Sequence, residues 1–169
     1  MKKALLFSVC VMLIFSVGCR GSFSVNEDWQ REDTSVDQTK PFKIMGPVRI
    51  FKGGNKYVVN IVENGTEREK AVFSDRRKCV LNNNLKLIGT ENPSRFLNVS
   101  FSKIKEELGE PHTDIGSGFY IPAYITDDAH LICFETDNGF GPGNEGTVTD
   151  IIIYDLLAED WNAERIELN

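Results

Sequence analysis

The stretch KYVVNIVENGTEREKAVF, Lys56–Phe73, carries the strongest fold signal in the chain. Two runs with the composition of strands flank Asn64-Gly65, a dipeptide that favours a two-residue hairpin turn because both residues tolerate a positive φ. The return run is charged from Glu67 to Lys70, which is typical of a strand at an exposed sheet edge. The stretch therefore predicts an antiparallel β-hairpin.

The pattern on both sides of this hairpin is mostly β. Further strands are predicted where β-branched and aromatic residues run between turn-forming clusters, at 47–51, 79–81, 85–88, 119–126, 129–136 and 147–155. A helix is predicted from Ser102 to Leu108, ended by Gly109 and Pro111, and a second short helix around 157–161. These elements predict an α+β fold, a mostly antiparallel sheet with a short packed helix, in which the helix precedes a three-stranded meander in the C-terminal half.

The predicted helix has one apolar face. Ile104 and Leu108 are four residues apart and so lie on the same side of the helix, whereas residues two apart share a face on a strand. We expect this side of the helix to pack against two strand faces, one formed by Leu131 and Cys133 and the other by Ile151 and Ile153.

The N-terminal residues 1–19, MKKALLFSVCVMLIFSVGC, predict export. Lys2 and Lys3 precede an uncharged apolar run that is shorter than the roughly 20 residues needed to cross a bilayer. Gly18-Cys19 at its end resembles the cleavage junction of a bacterial lipoprotein precursor. The resemblance implies that Cys19 carries lipid, with palmitate as an acyl group, and holds the protein to a membrane. Small Ser16 and Gly18 also suit ordinary signal peptidase, which would release a soluble secreted protein.

These signals divide the chain into three parts. A signal peptide (1–18) is followed by a polar, flexible tether (19–40) and by a single α+β domain (41–169) that contains the helix and three-stranded unit (98–155). The expected location is the cell envelope, lipid-anchored, on the outer membrane facing the periplasm if the source is Gram-negative. Secretion as a soluble protein is the alternative.

The charge balance argues against one class of partner. The chain has 19 basic and 25 acidic residues and a net charge of −6, and loss of residues 1–18 removes two lysines to give −8. Arg76-Arg77-Lys78 is the only basic triplet, and we expect it to lie on a solvated surface. An acidic chain without a basic patch does not favour nucleic acid, whose phosphates must be neutralised.

Two cysteines remain once Cys10 leaves with the signal peptide and Cys19 takes the lipid. In an exported domain, Cys79 and Cys133 favour one disulfide. The alternative is a pair of buried free thiols, because Cys133 lies in the apolar run LICF. No zinc-ligand spacing accompanies them, and no metal or other cofactor is predicted.

A second resemblance rests on NVSFSKIKEELGEP, Asn98–Pro111, followed by three predicted antiparallel strands. This segment resembles the opening of the SmpA/BamE-type envelope lipoprotein domain, which β-lactamase-inhibitor-like proteins share in outline. Ser100 matches the helix cap, while Leu108, Gly109 and Pro111 match the helix stop. The resemblance implies a non-enzymatic lipoprotein or a binding module.

The remaining chemical groups do not form a catalytic set. Ser117 lies beside glycines, but the strand–turn–helix context of a nucleophile elbow is missing. His130 and Cys133 are three apart on a predicted strand and so point to opposite faces, and His112 has no partner at a ligand spacing. No catalytic residue is predicted.

The glycine-rich connection 137–146, DNGFGPGNEG, is the candidate for recognition, because loops on a rigid sheet carry most binding residues. Its candidate interaction residues are Asp137, Asn138, Phe140, Asn144 and Glu145.

The sequence therefore predicts a non-catalytic, membrane-anchored lipoprotein that acts as a protein-interaction module in the cell envelope, with another envelope protein as partner. The alternative is a secreted inhibitor or small-ligand-binding module of the β-lactamase-inhibitor-like type. A deep apolar pocket would favour ligand binding, whereas an exposed aromatic patch built from Tyr120, Tyr124 or Tyr154 would favour a protein partner.

Overall fold

Two five-stranded antiparallel sheets account for most of the structure, a computed structural model that describes residues 36–83, 85–89, 91–138 and 146–167. Strands make up 48% of it and helix only about 10%. The predicted signal peptide, the lipid site Cys19 and the tether as far as residue 35 lie outside the described residues.

The first sheet is a meander of five consecutive strands in the order of the chain: β1 (Lys43–Met45), β2 (Val48–Gly53), β3 (Lys56–Glu63), β4 (Thr66–Ser74) and β5 (Cys79–Asn82). The predicted hairpin joins β3 to β4, with Glu63 opposite Thr66. Asn64 and Gly65 have φ values of 51° and 75°, so the turn takes the left-handed geometry that this dipeptide favours.

The second sheet is also a meander: β6 (Thr113–Asp114), β7 (Pro122–Ile125), β8 (His130–Thr136), β9 (Val148–Asp155) and β10 (Ala163–Glu167). A 3₁₀ turn (Pro93–Phe96) and the helix α1 (Phe101–Leu108) precede it. The predicted strand 85–88 is reduced to a single parallel bridge from Ile88 to Thr126. The predicted final helix around 157–161 is a bend that leads into β10.

The main core lies between the sheets because alternate residues of each strand point inward. The buried inward-facing residues of the first sheet include Ile50, Val59 and Phe73, and they share one apolar cluster with Leu131 and Cys133 of β8. The other face of the second sheet carries Tyr124, Ile132, Phe134 and Ile151, which cluster with Phe101 and Ile104 of α1.

The predicted α+β class is wrong, since the fold is β-rich and α1 has only eight residues. The N-terminal strands β1–β5 form a sheet of their own instead of joining the sheet of the C-terminal half. The expected helix contacts are wrong on β8, where Ile132 and Phe134 face the helix while Leu131 and Cys133 face the other sheet. A shift of one residue along a strand exchanges its two faces.

Charged groups from both sheets meet at one point. Arg77, in the turn after β4, donates to both carboxylate oxygens of Asp155 at the end of β9, at 2.9 and 2.5 Å. The buried Lys43 of β1 donates to the main-chain carbonyl of Asp155 at 2.9 Å, and its Nζ lies 3.9 Å from the ring centre of Trp161. Arg77 is therefore engaged in an ion pair between the sheets, in contrast to the solvated surface expected for its triplet.

The last residues of the predicted tether pack on the first sheet. Val36 contacts the cluster of Phe51, Val58 and Val72 on the outer face, and Gln38 Oε1 accepts a hydrogen bond from Asn60 Nδ2 at 2.9 Å. Among the described residues, no helix has the length and apolar character needed to cross a membrane.

The carboxylate of Asp155 should be a measurable source of stability. Burial raises its pKa, but Arg77 and the main-chain N–H groups of Leu157 and Ala158 outweigh burial and hold the pKa at about 2. We expect Asp155→Asn to lower the free energy of unfolding by about 1–3 kcal/mol in urea denaturation at neutral pH, because Arg77 loses a charged acceptor.

The matched control is Glu107→Gln. Glu107 pairs with Arg95 at the surface, where both side chains are about half exposed, so its loss should cost less than about 1 kcal/mol. Equal losses in the two variants would contradict the special role of Asp155.

Candidate functional site

An open cleft of about 340 Å³ lies at the end of the second sheet where β8 finishes. It is lined by Phe119, Tyr120, Ile121, Glu135, Thr136, Asp137 and Thr149. The β6–β7 connection supplies one wall, and the ends of β8 and β9 supply the other. The predicted interaction loop departs from this cleft at Asp137.

The aromatic wall is exposed but well positioned. Phe119 is 58% exposed, whereas Tyr120 is half-buried with its ring edge-on to Phe101 at 6.2 Å. Asp114 Oδ1 accepts hydrogen bonds from the N–H groups of Gly116 and Ile121, both at 2.9 Å, and so fixes the ends of the connection.

Gly116 is required by the path of this wall. A Cβ added to it would lie only 1.6 Å from the carbonyl oxygen of Phe119, so any larger residue would displace the turn that presents Phe119.

Burial raises the pKa of the Tyr120 hydroxyl, and the nearby carboxylates of Asp114 and Glu110 raise it further. Tyr120 therefore stays neutral and can act as a hydrogen-bond donor.

The opposite wall carries carboxylates that already have partners. Arg165 of β10 donates to both oxygens of Glu135, at 3.1 and 3.3 Å, and to Asp150 at 3.1 Å. One guanidinium thus serves two carboxylates, and the wall keeps an acidic character.

The neck of the predicted interaction loop is closed by reciprocal hydrogen bonds. The N–H of Asp137 donates to the carbonyl of Thr147 at 3.0 Å, and the N–H of Thr147 donates to Asp137 Oδ1 at 2.8 Å. The Gly146 carbonyl accepts from the N–H of Phe101 at 2.9 Å, so the returning arm is attached to the start of α1. Asp137 therefore positions the loop, and Asn138 lies in the turn beyond it. Phe140, Asn144 and Glu145 lie outside the described residues.

The histidines occupy separate, structural positions. His112 Nδ1 accepts from the N–H of Ile125 at 2.8 Å, and its Nε2 lies 3.0 Å from the carbonyl of Lys86, which fixes the proton on Nε2. His130 Nδ1 lies 3.1 Å from a carboxylate oxygen of Asp128. In the described part of the chain, no three His, Cys, Asp or Glu residues converge as metal ligands would.

The structure holds Cys79 and Cys133 as free thiols and does not contain the predicted disulfide. Cys133 faces the core from the middle of β8, and Cys79 lies half-buried on the edge strand β5. Burial raises the pKa of both thiols. They therefore stay protonated at neutral pH and are poor nucleophiles.

The three candidate tyrosines lie in different environments, and the sequence patterns did not identify Phe119, the exposed aromatic residue of the cleft. Tyr124 is fully buried and donates to the carbonyl of Gly109 at 2.8 Å, while Tyr154 packs edge-on against Trp161 at 6.0 Å. Only Tyr120 lines the cleft. Phe119 was not singled out, although an aromatic residue directly after Gly116-Ser117-Gly118 is a signal for a presented side chain. Ser117 lies exposed in that bend.

A second groove, of about 500 Å³, lies between the 86–92 segment and the C-terminal end of α1. Leu87, Ile88 and Leu108 give it an apolar floor, and Arg95 at its edge is paired with Glu107. The groove is open, and the guanidinium of Arg95 already has a partner in Glu107, so the groove is not built to enclose and fix a small ligand.

Comparison of the chain with protein-family models, with curated proteins and with solved structures gives no match.

His112 should make the protein less stable in mild acid. Burial lowers its pKa from 6.5 to about 4. As the pH falls below 6.5, His112 binds a proton in the unfolded chain but not in the folded one. The free energy of unfolding therefore falls between about pH 6.5 and pH 4, by up to about 3 kcal/mol.

Denaturation at several pH values should show this loss in the natural chain and a flatter profile in His112→Gln. The two proteins share every carboxylate, so their difference isolates the histidine. Parallel profiles would contradict the prediction.

Proposed function

We propose that this chain is an exported, lipid-anchored and non-catalytic module of the cell envelope, which binds another envelope protein through the cleft beside Phe119. The observation that carries the proposal is the exposure of Phe119 on a wall held in place by Asp114 and Gly116. Aromatic residues are enriched in protein interfaces, because one rigid side chain buries a large area at little entropic cost.

The form of the cleft favours a protein partner over a small ligand. Small-ligand sites enclose most of the ligand surface, whereas this cleft is open on the side of Phe119. The carboxylate of Glu135 is paired with Arg165, and that of Asp137 accepts from the N–H of Thr147, so neither needs a cation from a ligand. Tyr120 extends the contact surface beside Phe119, and Asp137 extends it on the opposite wall.

The walls also indicate the character of the partner. The carboxylates of Asp114 and Glu110 lie near Tyr120, and Glu135 on the opposite wall is paired with Arg165. A partner segment that places an apolar side chain on Phe119 and has no acidic residue beside it would suit this surface, because the nearby charge is mostly negative.

Export and anchoring rest on the N-terminal sequence. Lys2 and Lys3, the short apolar run and the Gly18-Cys19 junction support a lipoprotein. The resemblance of 98–111 to the SmpA/BamE-type domain supports the same assignment and stays a prediction.

Intact mass spectrometry of the protein from its native membrane tests the anchor. We expect a chain that begins at Cys19 and is heavier than its amino acids by the mass of its acyl groups. Cys19→Ser should abolish that added mass and release the protein from the membrane fraction. An unmodified N-terminus would contradict lipidation, and an uncleaved one would contradict export as well.

Site-specific photocrosslinking tests the cleft. A benzoylphenylalanine at position 119, in the full chain in cells, should give a discrete adduct with one envelope protein. The same probe at Ile44, which is 53% exposed against 58% for Phe119, is the matched control on the first sheet. Identical adducts at both positions, or no adduct at either, would contradict the proposed binding site.

A further inference from the structure

The four sheet edges of the described structure are protected unequally. On the β1 edge, Trp161 Nε1 donates to the Ile44 carbonyl at 3.2 Å and Lys43 stacks on the same ring. The β10 edge carries three charges in five residues, AERIE, and the β6 edge is only two residues long. Charges, covering side chains and short length are the usual defences of an edge against pairing with another strand.

The β5 edge lacks charge, and its protection is limited to its length of four residues and the register shift that it shares with β4. Its four residues, CVLN, carry no charge, and Val80 and Leu81 are 39% and 49% exposed. One of its sides is paired with β4, and it ends the strand order of the sheet.

Leu81 is also the exposed end of an apolar row. Phe51, Val58, Val72 and Leu81 lie directly opposite one another on β2, β3, β4 and β5. The first three are 2%, 4% and 8% exposed, whereas Leu81 is 49% exposed. The outer face of the sheet is therefore covered along this row up to its last member.

We propose that a second copy of this chain pairs with β5, antiparallel and about a two-fold axis at Leu81. In this register Leu81 faces Leu81 of the second copy, and the apolar row continues without a break from one sheet into the other. Val80 then faces Asn82 of the second copy, so no charges of like sign oppose each other across the strand pair.

A second copy suits this edge better than an unrelated strand because the edge is complementary to itself. The residue opposite Leu81 must be apolar to extend the row, and the symmetric register supplies one. An isologous contact of this kind closes at two copies, since it uses the same edge on both. A four-residue strand pair buries less surface than a standard stable interface, so the dimer should form in a concentration-dependent way.

Cysteine crosslinking tests the register. Directly opposite residues of an antiparallel pair have Cβ atoms about 4.5–5.5 Å apart, within or close to the reach of a disulfide. Leu81→Cys, in a full chain that carries Cys79→Ser, should give a disulfide-linked dimer in membranes at several times the yield of Ile44→Cys in the same background. Equal yields, no dimer, or a disulfide to a different protein would overturn the proposal.

Sedimentation of the detergent-solubilised full chain tests the association itself. The average mass of the natural chain and of Ile44→Lys should rise with concentration toward two copies, while Leu81→Lys should stay at one copy. Circular dichroism of Leu81→Lys should match that of the natural chain, as expected for a change at a half-exposed edge position. A natural chain that stays monomeric at all concentrations would overturn the proposal, as would equal loss in both lysine variants.

Discussion

The carboxylate of Asp155 is the constraint on which the arrangement of the two sheets depends. It accepts two hydrogen bonds from Arg77 and others from the N–H groups of Leu157 and Ala158, while the carbonyl of the same residue accepts from Lys43. Hydrophobic contact between the sheets is strong but has no direction, because it depends only on the area removed from water. The directional bonds of this one residue tie the end of β9 to β1 and to the turn after β4.

The opposite end of β8 and β9 is where the molecule is open. At the fixed end, His130 of β8 lies opposite Asp155 of β9 in the strand register. At the other end, Glu135 and Thr136 of β8 line the cleft. There, hydrogen bonds to Asp114 fix the backbone on either side of the exposed Phe119. If this is the binding surface, as we propose, it loses little entropy when a partner arrives, because its backbone is already in position. The same sheet is thus fixed at one end by Asp155 and carries the proposed binding surface at the other.

Local signals predicted the parts of the fold that depend on neighbouring residues. Asn64-Gly65 set its own turn, and most strand positions followed from β-branched runs. The number of sheets could not be predicted, because it depends on which inner faces meet. Arg77 looked solvated in sequence because its partner is 78 residues away along the chain. The strand β10 was missed since AERIE has the charges of an edge and no apolar alternation. Of the residues that line the cleft, Asp137 was among the sequence candidates but Phe119 was not, because exposure of one ring is decided by tertiary packing.

Each sheet is built from one continuous piece of chain, residues 43–82 and then 113–167. During synthesis the first sheet can therefore form its hairpins, which need only local contacts, before the second has emerged. Until then Ile50, Val59 and Phe73 face water on a finished surface. The interval between the arrival of the two sheets is consequently the stage at which a nascent copy is most exposed to aggregation, and at which a chaperone that holds unfolded chains would be most useful.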